Sequence, residues 1–235
     1  ALVFRQIFLG ICLTIGAWIL CHWRPGWHIR LHDVRSMLVF GRNVTSSVVM
    51  SYISGNLDKV LVGWRYGAKQ LGYYHKAFYL FALPATQLTE SLKNVATSTL
   101  SKLRNQPIMY VNYYLKSVSI LTFIGMPISF FFMIESDNMV NLVLGPQWEQ
   151  TVGIFRIMAA GTGVYMIYNT KYWLHASLGL SDRMLRWGIF DFCVTSVAIV
   201  TGLYFGTHGI ALAYTGTLYL LVGPGIQYAG KPIGL

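Results

Sequence analysis

Seven apolar runs, most of them about as long as a membrane-spanning helix, constrain this chain more than any other feature of its sequence. A helix needs roughly 20 apolar residues to cross the hydrocarbon core of a bilayer. The runs are 1–20, 37–62, 72–93, 115–134, 152–178, 184–205 and, shorter but free of charge, 210–228. Only 11% of the residues are charged, against about 25% in soluble domains. Membrane β-barrels use short strands that alternate apolar and polar residues, so the sequence predicts an all-α, polytopic helical bundle instead.

The basic residues predict the orientation of this bundle. A net charge of +10 would suggest nucleic-acid binding on a soluble protein, but here Lys and Arg fall mainly between the apolar runs. The loops 136–149 and 206–209 contain neither residue. Because Lys and Arg favour the cytoplasmic side of a membrane, we predict that 21–36, 94–114 and 179–183 are cytoplasmic and that 136–149 is periplasmic. No nucleic-acid partner is expected.

A polar stripe follows the apolar run 37–62. Its members are spaced by 4, 4, 3 and 4 residues, which tracks the helical period and places them on one face. They are Asn43, Ser47, Ser51, Ser54 and Asp58. A lipid-facing helix does not favour such a face, so we predict that the stripe lines a substrate cavity. Hydrogen bonding between helices is the alternative explanation.

Charged side chains inside or at the edges of the runs are further candidates, because each costs about 2.5–3.5 kcal/mol at a helix centre. Adjacent residues point about 100° apart, so Asp58 and Lys59 are not expected to form a neat pair. Lys171 and Arg156 lie near the ends of runs, where their long side chains could reach the interface. Asp191 lies about two turns inside its run, where its short side chain cannot reach the membrane interface. We therefore predict that it has a basic partner.

Patterns of catalytic residues are missing from the sequence. The six histidines show no HExxH spacing, and neither a P-loop nor a nucleophile elbow is present. The glycines of 153–163 lie in an apolar run, where packing of small residues explains them. We therefore predict that the protein is not an enzyme and has no cofactor and no metal site.

Several motifs occur in a recognisable order. The stretch 56–92, "NLDKVLVGWRYGAKQLGYYHKAFYLFALPATQLTESL", contains a helix ending in N-x-D-x-x-x-x-G, a G-A-x-x-L-G-x-Y turn and a helix with P-x-x-Q. An L-G-x-x-W turn follows in 140–159, then "ALAYTGTLYLL" at 211–221 and a final "KPIGL". In this order and spacing, the chain resembles the bacterial O-antigen and exopolysaccharide flippases of the multidrug/oligosaccharidyl-lipid/polysaccharide superfamily.

The resemblance implies a two-lobed transporter that moves polyprenyl-diphosphate-linked oligosaccharide across the bacterial cytoplasmic (inner) membrane. It implies the lipid bilayer and this lipid-linked oligosaccharide as partners. Under this expectation the chain is an excerpt of a longer protein. Residues 1–21 would be the last helix of the first lobe, 22–36 a cytoplasmic linker, 37–230 a second lobe of about six helices, and 231–235 the start of a linker to further helices.

The same resemblance suggests roles for individual residues. Gln87, in the P-x-x-Q motif, would join the stripe in lining the cavity. Asp58 would bind a coupling ion, a proton or sodium. Because a low-dielectric cavity strengthens attraction between a cation and the anionic diphosphate, Lys59, Arg156 and Lys171 are candidates for holding it. Reaching towards the interface, or pairing with buried acids, is the alternative for these three.

Other functions remain open at the level of sequence. A related exporter of small drugs or of a lipid-linked peptidoglycan precursor would share the same architecture. An integral membrane glycan polymerase is disfavoured because such enzymes need a large periplasmic loop, whereas every loop here is short. A purely structural subunit would not need the polar stripe.

Overall fold

The computed structural model describes residues 2–20 and 31–234. Within these ranges it describes all side chains except those of residues 2–6, 20, 31–37, 39, 40, 43, 47, 51 and 54. The described residues are almost entirely helical and include no β-strand, which confirms the predicted all-α chain. The chain divides into two compact units, residues 1–39 and 40–235, and every contact given below lies within the second.

Nine α-helices are found in the described part of the chain. They are α1 (Leu2–Leu20), α2 (Leu31–Lys102), α3 (Pro107–Ile134), α4 (Ser136–Val143), α5 (Thr151–Ala159), α6 (Thr162–Asn169), α7 (Lys171–Leu178), α8 (Ser181–Gly202) and α9 (Gly206–Gly230). Short 3₁₀ turns occur at Pro146–Trp148, Leu203–Phe205 and Lys231–Ile233. Most of the predicted linker 22–36 lies outside the described residues, and α2 begins at Leu31.

The helices long and apolar enough to cross a membrane lie in the later part of the chain. Among the described residues, Pro107–Ile134 and Ser181–Ile233 qualify by themselves, and Thr151–Ala159 with Thr162–Leu178 qualifies as a pair bent by 51°. The predicted runs 37–62 and 72–93 both fall within α2. The protein is a multi-pass helical membrane protein.

A single glycine reverses α2. Gly67 has φ 81° and ψ 173°, a backbone conformation that glycine adopts without steric cost. It divides α2 into a first arm, of which 40–66 belongs to the second unit, and a second arm, 68–102. Within the second unit these arms fold against each other, as the close approach at Gly63 shows: a Cβ atom there would lie only 3.1 Å from the Leu71 side chain. The turn predicted between the runs 37–62 and 72–93 is therefore a one-residue break.

The predicted continuous run 152–178 is broken into three helices. The main break follows Ala160. The backbone carbonyl of Ala160, freed by this break, accepts a hydrogen bond of 2.7 Å from the hydroxyl of Tyr219 on α9. A second break occurs at Thr170, between α6 and α7. Membrane helices tolerate such breaks where neighbouring side chains satisfy the freed backbone groups.

Small residues allow α6 to approach α3 closely. A Cβ atom at Gly163 would lie 2.8 Å from the backbone carbonyl of Gly125, and the Gly163 amide donates a 2.6 Å hydrogen bond to the Ser129 hydroxyl. The interpretation of the glycines in 153–163 as packing residues is confirmed at Gly163, where any larger side chain would push the two helices apart.

The loops of the second unit gather at two ends. One end lies near Lys102 and Arg104 and is here called the basic end. There the ends of α2, α7 and α9 meet the start of α3 in one buried cluster that includes Leu100, Tyr110 and Ala229. At the opposite end, here called the Gly67 end, the break in α2, the α4–α5 loop and the α8–α9 turn surround one pocket. Because α3 runs unbroken between the loops at 103–106 and 135, the loops predicted to be cytoplasmic and periplasmic lie at opposite ends of this helix.

Candidate functional site

The second unit contains a cavity of about 460 Å³ between the second arm of α2 and helices α6 to α9. This volume lies within the range of about 300–1,000 Å³ that is typical of small-ligand sites. The polar and aromatic residues that line it are Thr86, Thr89, Glu90, Lys93, Tyr165, Tyr168, Asn169, Lys171, Tyr172, Trp173, Asp191, Thr195, Tyr214 and Thr217. Val48 and Gly55 complete the wall from the first arm of α2.

Aromatic rings form much of the cavity wall. Tyr165, Tyr168 and Tyr172 recur at helical spacing along α6 and α7, and Tyr214 joins them from α9. Tyr214 packs edge-on against Phe81, with ring centroids 6.0 Å apart. A tyrosine presents an apolar ring together with a polar hydroxyl, so this wall offers both to a ligand.

A buried ion pair lies at the cavity wall. The Nζ atom of Lys171 is 3.3 Å from a carboxylate oxygen of Asp191, and the Lys171 side chain is only 1% exposed. The same ammonium group lies 3.0 Å from the centre of the Tyr168 ring, a cation–π contact that is strongest when desolvated. The predicted basic partner of Asp191 is confirmed and is Lys171. The expectation that Lys171 reaches the interface is wrong, because its ammonium group points into the unit.

A second pair at the cavity is open to solvent. Glu90 and Lys93, one turn apart on α2, lie 3.2 Å from each other. The described charged residues that line the cavity are therefore two acids and two bases, each with its opposite. The lining carries no net charge.

Asp58 and Lys59 form a different kind of pair, between the two arms of α2. The Asp58 carboxylate is completely buried and accepts hydrogen bonds of 2.8 Å from the Tyr74 hydroxyl and from the Lys59 backbone amide. The Lys59 ammonium lies over the Phe78 ring, donates to the Gly55 carbonyl and is 3.7 Å from Asp58. The prediction that these neighbours do not pair is wrong, because the flexible lysine chain folds back. Asp58 is not among the described residues that line the cavity.

The remaining basic candidate lies elsewhere. Arg156, on α5, is half exposed, donates a 2.7 Å hydrogen bond to the Ser136 hydroxyl and forms an ion pair with Asp137. Of the three predicted diphosphate-binding residues, the described part of the structure therefore brings only Lys171 to the cavity. Gln87 is exposed and lies on the second arm of α2 next to Thr86, which does line the cavity.

Most of the polar stripe lies outside the described side chains. The backbone is helical at all five positions, but of the side chains only that of Asp58 is described. The next residues along the chain after Ser47 and Ser54 are Val48 and Gly55, which line the cavity. The role of Asn43, Ser47, Ser51 and Ser54 stays a prediction.

Much of the cavity wall is aromatic and was not predicted from the sequence, because the residues singled out there were charged or polar ones in apolar runs. The spacing of Tyr165, Tyr168 and Tyr172 by three and four residues is a detectable signal, since it places three rings on neighbouring positions of one helical surface. Where the side chains are described, no cluster of three or more His, Cys, Asp or Glu is arranged to hold a metal ion.

Comparison with known proteins gives consistent results. A family model described as "Polysaccharide biosynthesis protein" matches residues 1–153. The chain is 24% identical to the lipopolysaccharide biosynthesis protein WzxC of Escherichia coli (strain K12) over 82% of its own length and 39% of that protein. It is 22% identical to the teichuronic acid biosynthesis protein TuaB of Bacillus subtilis (strain 168) over 80% of its length and 39% of the relative. The chain thus spans about two fifths of each relative. No solved structure matches it.

Proposed function

The chain belongs to the polysaccharide biosynthesis protein family, and from this premise we propose that it is one lobe of a flippase for polyprenyl-diphosphate-linked oligosaccharide. The transporter would move this cargo across the cytoplasmic membrane of a bacterium for lipopolysaccharide or exopolysaccharide synthesis. The printed functions of the two relatives, lipopolysaccharide and teichuronic acid biosynthesis, support a glycan as the cargo.

The observation that carries the proposal is the composition of the 460 Å³ cavity. A sugar ring has an apolar face of C–H groups and an edge of hydroxyl groups. Tyrosine rings suit the first, while threonine hydroxyls and the Asn169 carboxamide donate and accept hydrogen bonds as the second requires. Because the charges of the wall cancel, the cavity does not attract anions by net charge. We assign it to the glycan part of the cargo.

Lys171 remains the candidate contact for the diphosphate. It is the one predicted diphosphate-binding residue that reaches the cavity wall in the described structure, and its counter-ion Asp191 is partly exposed there. A diphosphate that entered the cavity would compete with Asp191 for the ammonium group. Lys59 and Arg156 already have partners outside this cavity, so we expect a smaller contribution from each.

Asp58 is the proposed site of ion coupling. Both carboxylate oxygens accept hydrogen bonds in this structure, from Tyr74 and from the Lys59 backbone. Of these donors only Tyr74 lies on the other arm of α2, so uptake of a proton or sodium ion would compete with the Tyr74 hydroxyl for the carboxylate. Asp58→Asn should abolish ion-driven export by the intact protein without lowering its amount in the membrane. Undiminished ion-driven export by this variant would refute the proposed role.

The proposed function is tested by export of surface polysaccharide in a strain that lacks this gene. The intact wild-type gene should restore export. Lys171→Gln should restore much less export than the wild-type gene. Lys59→Gln and Arg156→Gln should each restore more export than Lys171→Gln. Immunoblots of the membrane fraction must show equal protein, and the double variant Lys171→Gln/Asp191→Asn controls for a stranded buried acid.

A related drug exporter is the alternative with most support from the cavity, because aromatic walls also suit small apolar cations. A drug exporter predicts the opposite result in the same complementation assay. The wild-type gene would then restore efflux of a cationic dye and leave polysaccharide export unrestored.

A further inference from the structure

A second pocket, of about 490 Å³, lies at the Gly67 end of the second unit. Three separate chain reversals meet there: the break in α2, the α4–α5 loop and the α8–α9 turn. The polar residues that they contribute are Tyr66, Gln70, Glu149, Gln150, Thr207 and His208. None of these residues belongs to the cavity described above.

Specific contacts build this Gly67-end pocket. The Tyr66 hydroxyl donates a hydrogen bond to the backbone carbonyl of Leu203, which ties the break in α2 to the α8–α9 turn. Gly153 leaves room for the His208 imidazole, since a Cβ atom there would lie 2.6 Å from its Nε2 atom. The three chain segments are therefore held together by their own contacts, and the pocket does not depend on one mobile loop.

The chemistry of the lining excludes some ligands and favours others. Two carboxamides, two hydroxyls, an imidazole and one carboxylate can each donate or accept hydrogen bonds, and the described lining residues include no Lys or Arg. Arg65 and Lys69 are exposed near the pocket but do not line it. A phosphate group would find a carboxylate there and no cation, whereas sugar hydroxyls match mixed donors and acceptors.

We propose that the Gly67-end pocket binds sugar residues of the exported glycan on the outer side of the membrane. This inference rests on the proposed function. Two of the three segments that form the pocket, 144–150 and 203–209, lack Lys and Arg, as expected on the side opposite the cytoplasm, whereas the break in α2 is flanked by Arg65 and Lys69. The pocket would receive the glycan after it leaves the aromatic cavity.

Thiol labelling of the intact protein tests this inference. The native cysteines are first replaced, and Gln150→Cys is introduced at the pocket. Asn141→Cys serves as the matched control, because Asn141 is an exposed amide on α4 that does not line the pocket. A membrane-impermeant maleimide is added to spheroplasts with or without the oligosaccharide that mild acid releases from the strain's own surface polysaccharide.

We expect the oligosaccharide to slow labelling of Gln150→Cys several-fold and to leave Asn141→Cys unchanged. Adding Gln70→Ala and His208→Ala should remove this protection. Equal labelling with and without oligosaccharide, protection of both cysteines alike, or labelling of Gln150→Cys only after the membrane is permeabilised would each overturn the inference.

Export assays in the same strain separate this inference from the proposed function. If the cysteine-free protein restores polysaccharide export and Gln150→Cys is unprotected, the pocket inference fails and the flippase assignment stands. If the wild-type gene restores no export, the flippase assignment fails, and the pocket inference fails with it.

Discussion

The two buried acid–base pairs of this protein differ in which partner is exposed. In the Asp58–Lys59 pair the acid is fully buried and the base is 16% exposed, whereas in the Asp191–Lys171 pair the base is 1% exposed and the acid 19%. The first pair sits between the arms of α2, where Tyr74 also holds the acid. The second lies on the cavity wall. The comparison shows that helix packing buries the acid of the first pair, whereas the acid of the second lies at a cavity wall where a ligand can reach it.

Asp191→Asn should have the largest effect, because it leaves the Lys171 ammonium buried without a counter-ion. Removal of one partner from a buried pair costs about 3–5 kcal/mol of stability. The measurement is the free energy of unfolding of the intact protein in mixed micelles. The double variant Lys171→Met/Asp191→Asn removes both charges and should recover most of the loss. A single variant as stable as wild type would contradict this expectation.

Tyr74→Phe should have an intermediate effect on the other pair. The variant keeps the ring in the core but removes the hydroxyl that donates to Asp58. A hydrogen bond to a charged group contributes about 1.5–3 kcal/mol, and the same unfolding measurement checks it. Tyr66→Phe is not a suitable control because it also breaks a hydrogen bond. Tyr79→Phe is suitable, since Tyr79 is exposed on the same arm and should change stability little.

Lys93→Gln should have the smallest effect and calibrates the comparison. Its partner Glu90 is largely exposed, and exposed pairs contribute about 0–1 kcal/mol. The contribution of this pair to stability should also fall most when salt is added, because dissolved ions screen exposed charges more than buried ones. A loss as large as that for Asp191→Asn would contradict the distinction between the exposed pair and the two buried pairs.

The sequence predicted the class of fold because apolar runs of this length have few alternatives in a membrane. It did not predict the breaks inside the run 152–178, because these depend on distant partners such as Tyr219 and Ser129. The depth of Asp191 within its apolar run was enough to predict that it has a basic partner. The sequence could not choose Lys171, twenty residues away, because that choice is made by how α7 packs on α8.

The candidate site was predicted less well than the fold. Single residues were chosen for charge, and charge alone does not reveal whether a side chain faces a cavity or a neighbouring helix. Asp58 and Lys171 are both buried, yet in the described structure only Lys171 lines the aromatic cavity. The aromatic wall carried a periodic signal, but apolar periodicity is also what ordinary helix packing produces.

Ligand protection of the aromatic cavity tests the central claim most directly. Thr86→Cys places a thiol on the cavity wall, and Ser98→Cys places one on an exposed position of the same arm that does not line the cavity. The intact cysteine-free protein is reconstituted in liposomes and labelled with a membrane-impermeant maleimide. We expect the polyprenyl-diphosphate-linked oligosaccharide to slow labelling of Thr86→Cys several-fold, and polyprenyl diphosphate without sugar, which offers only the contact with Lys171, to slow it much less. Labelling of Thr86→Cys that is unchanged by the oligosaccharide lipid, or slowed equally by the sugar-free lipid, would contradict the assignment of this cavity to the glycan.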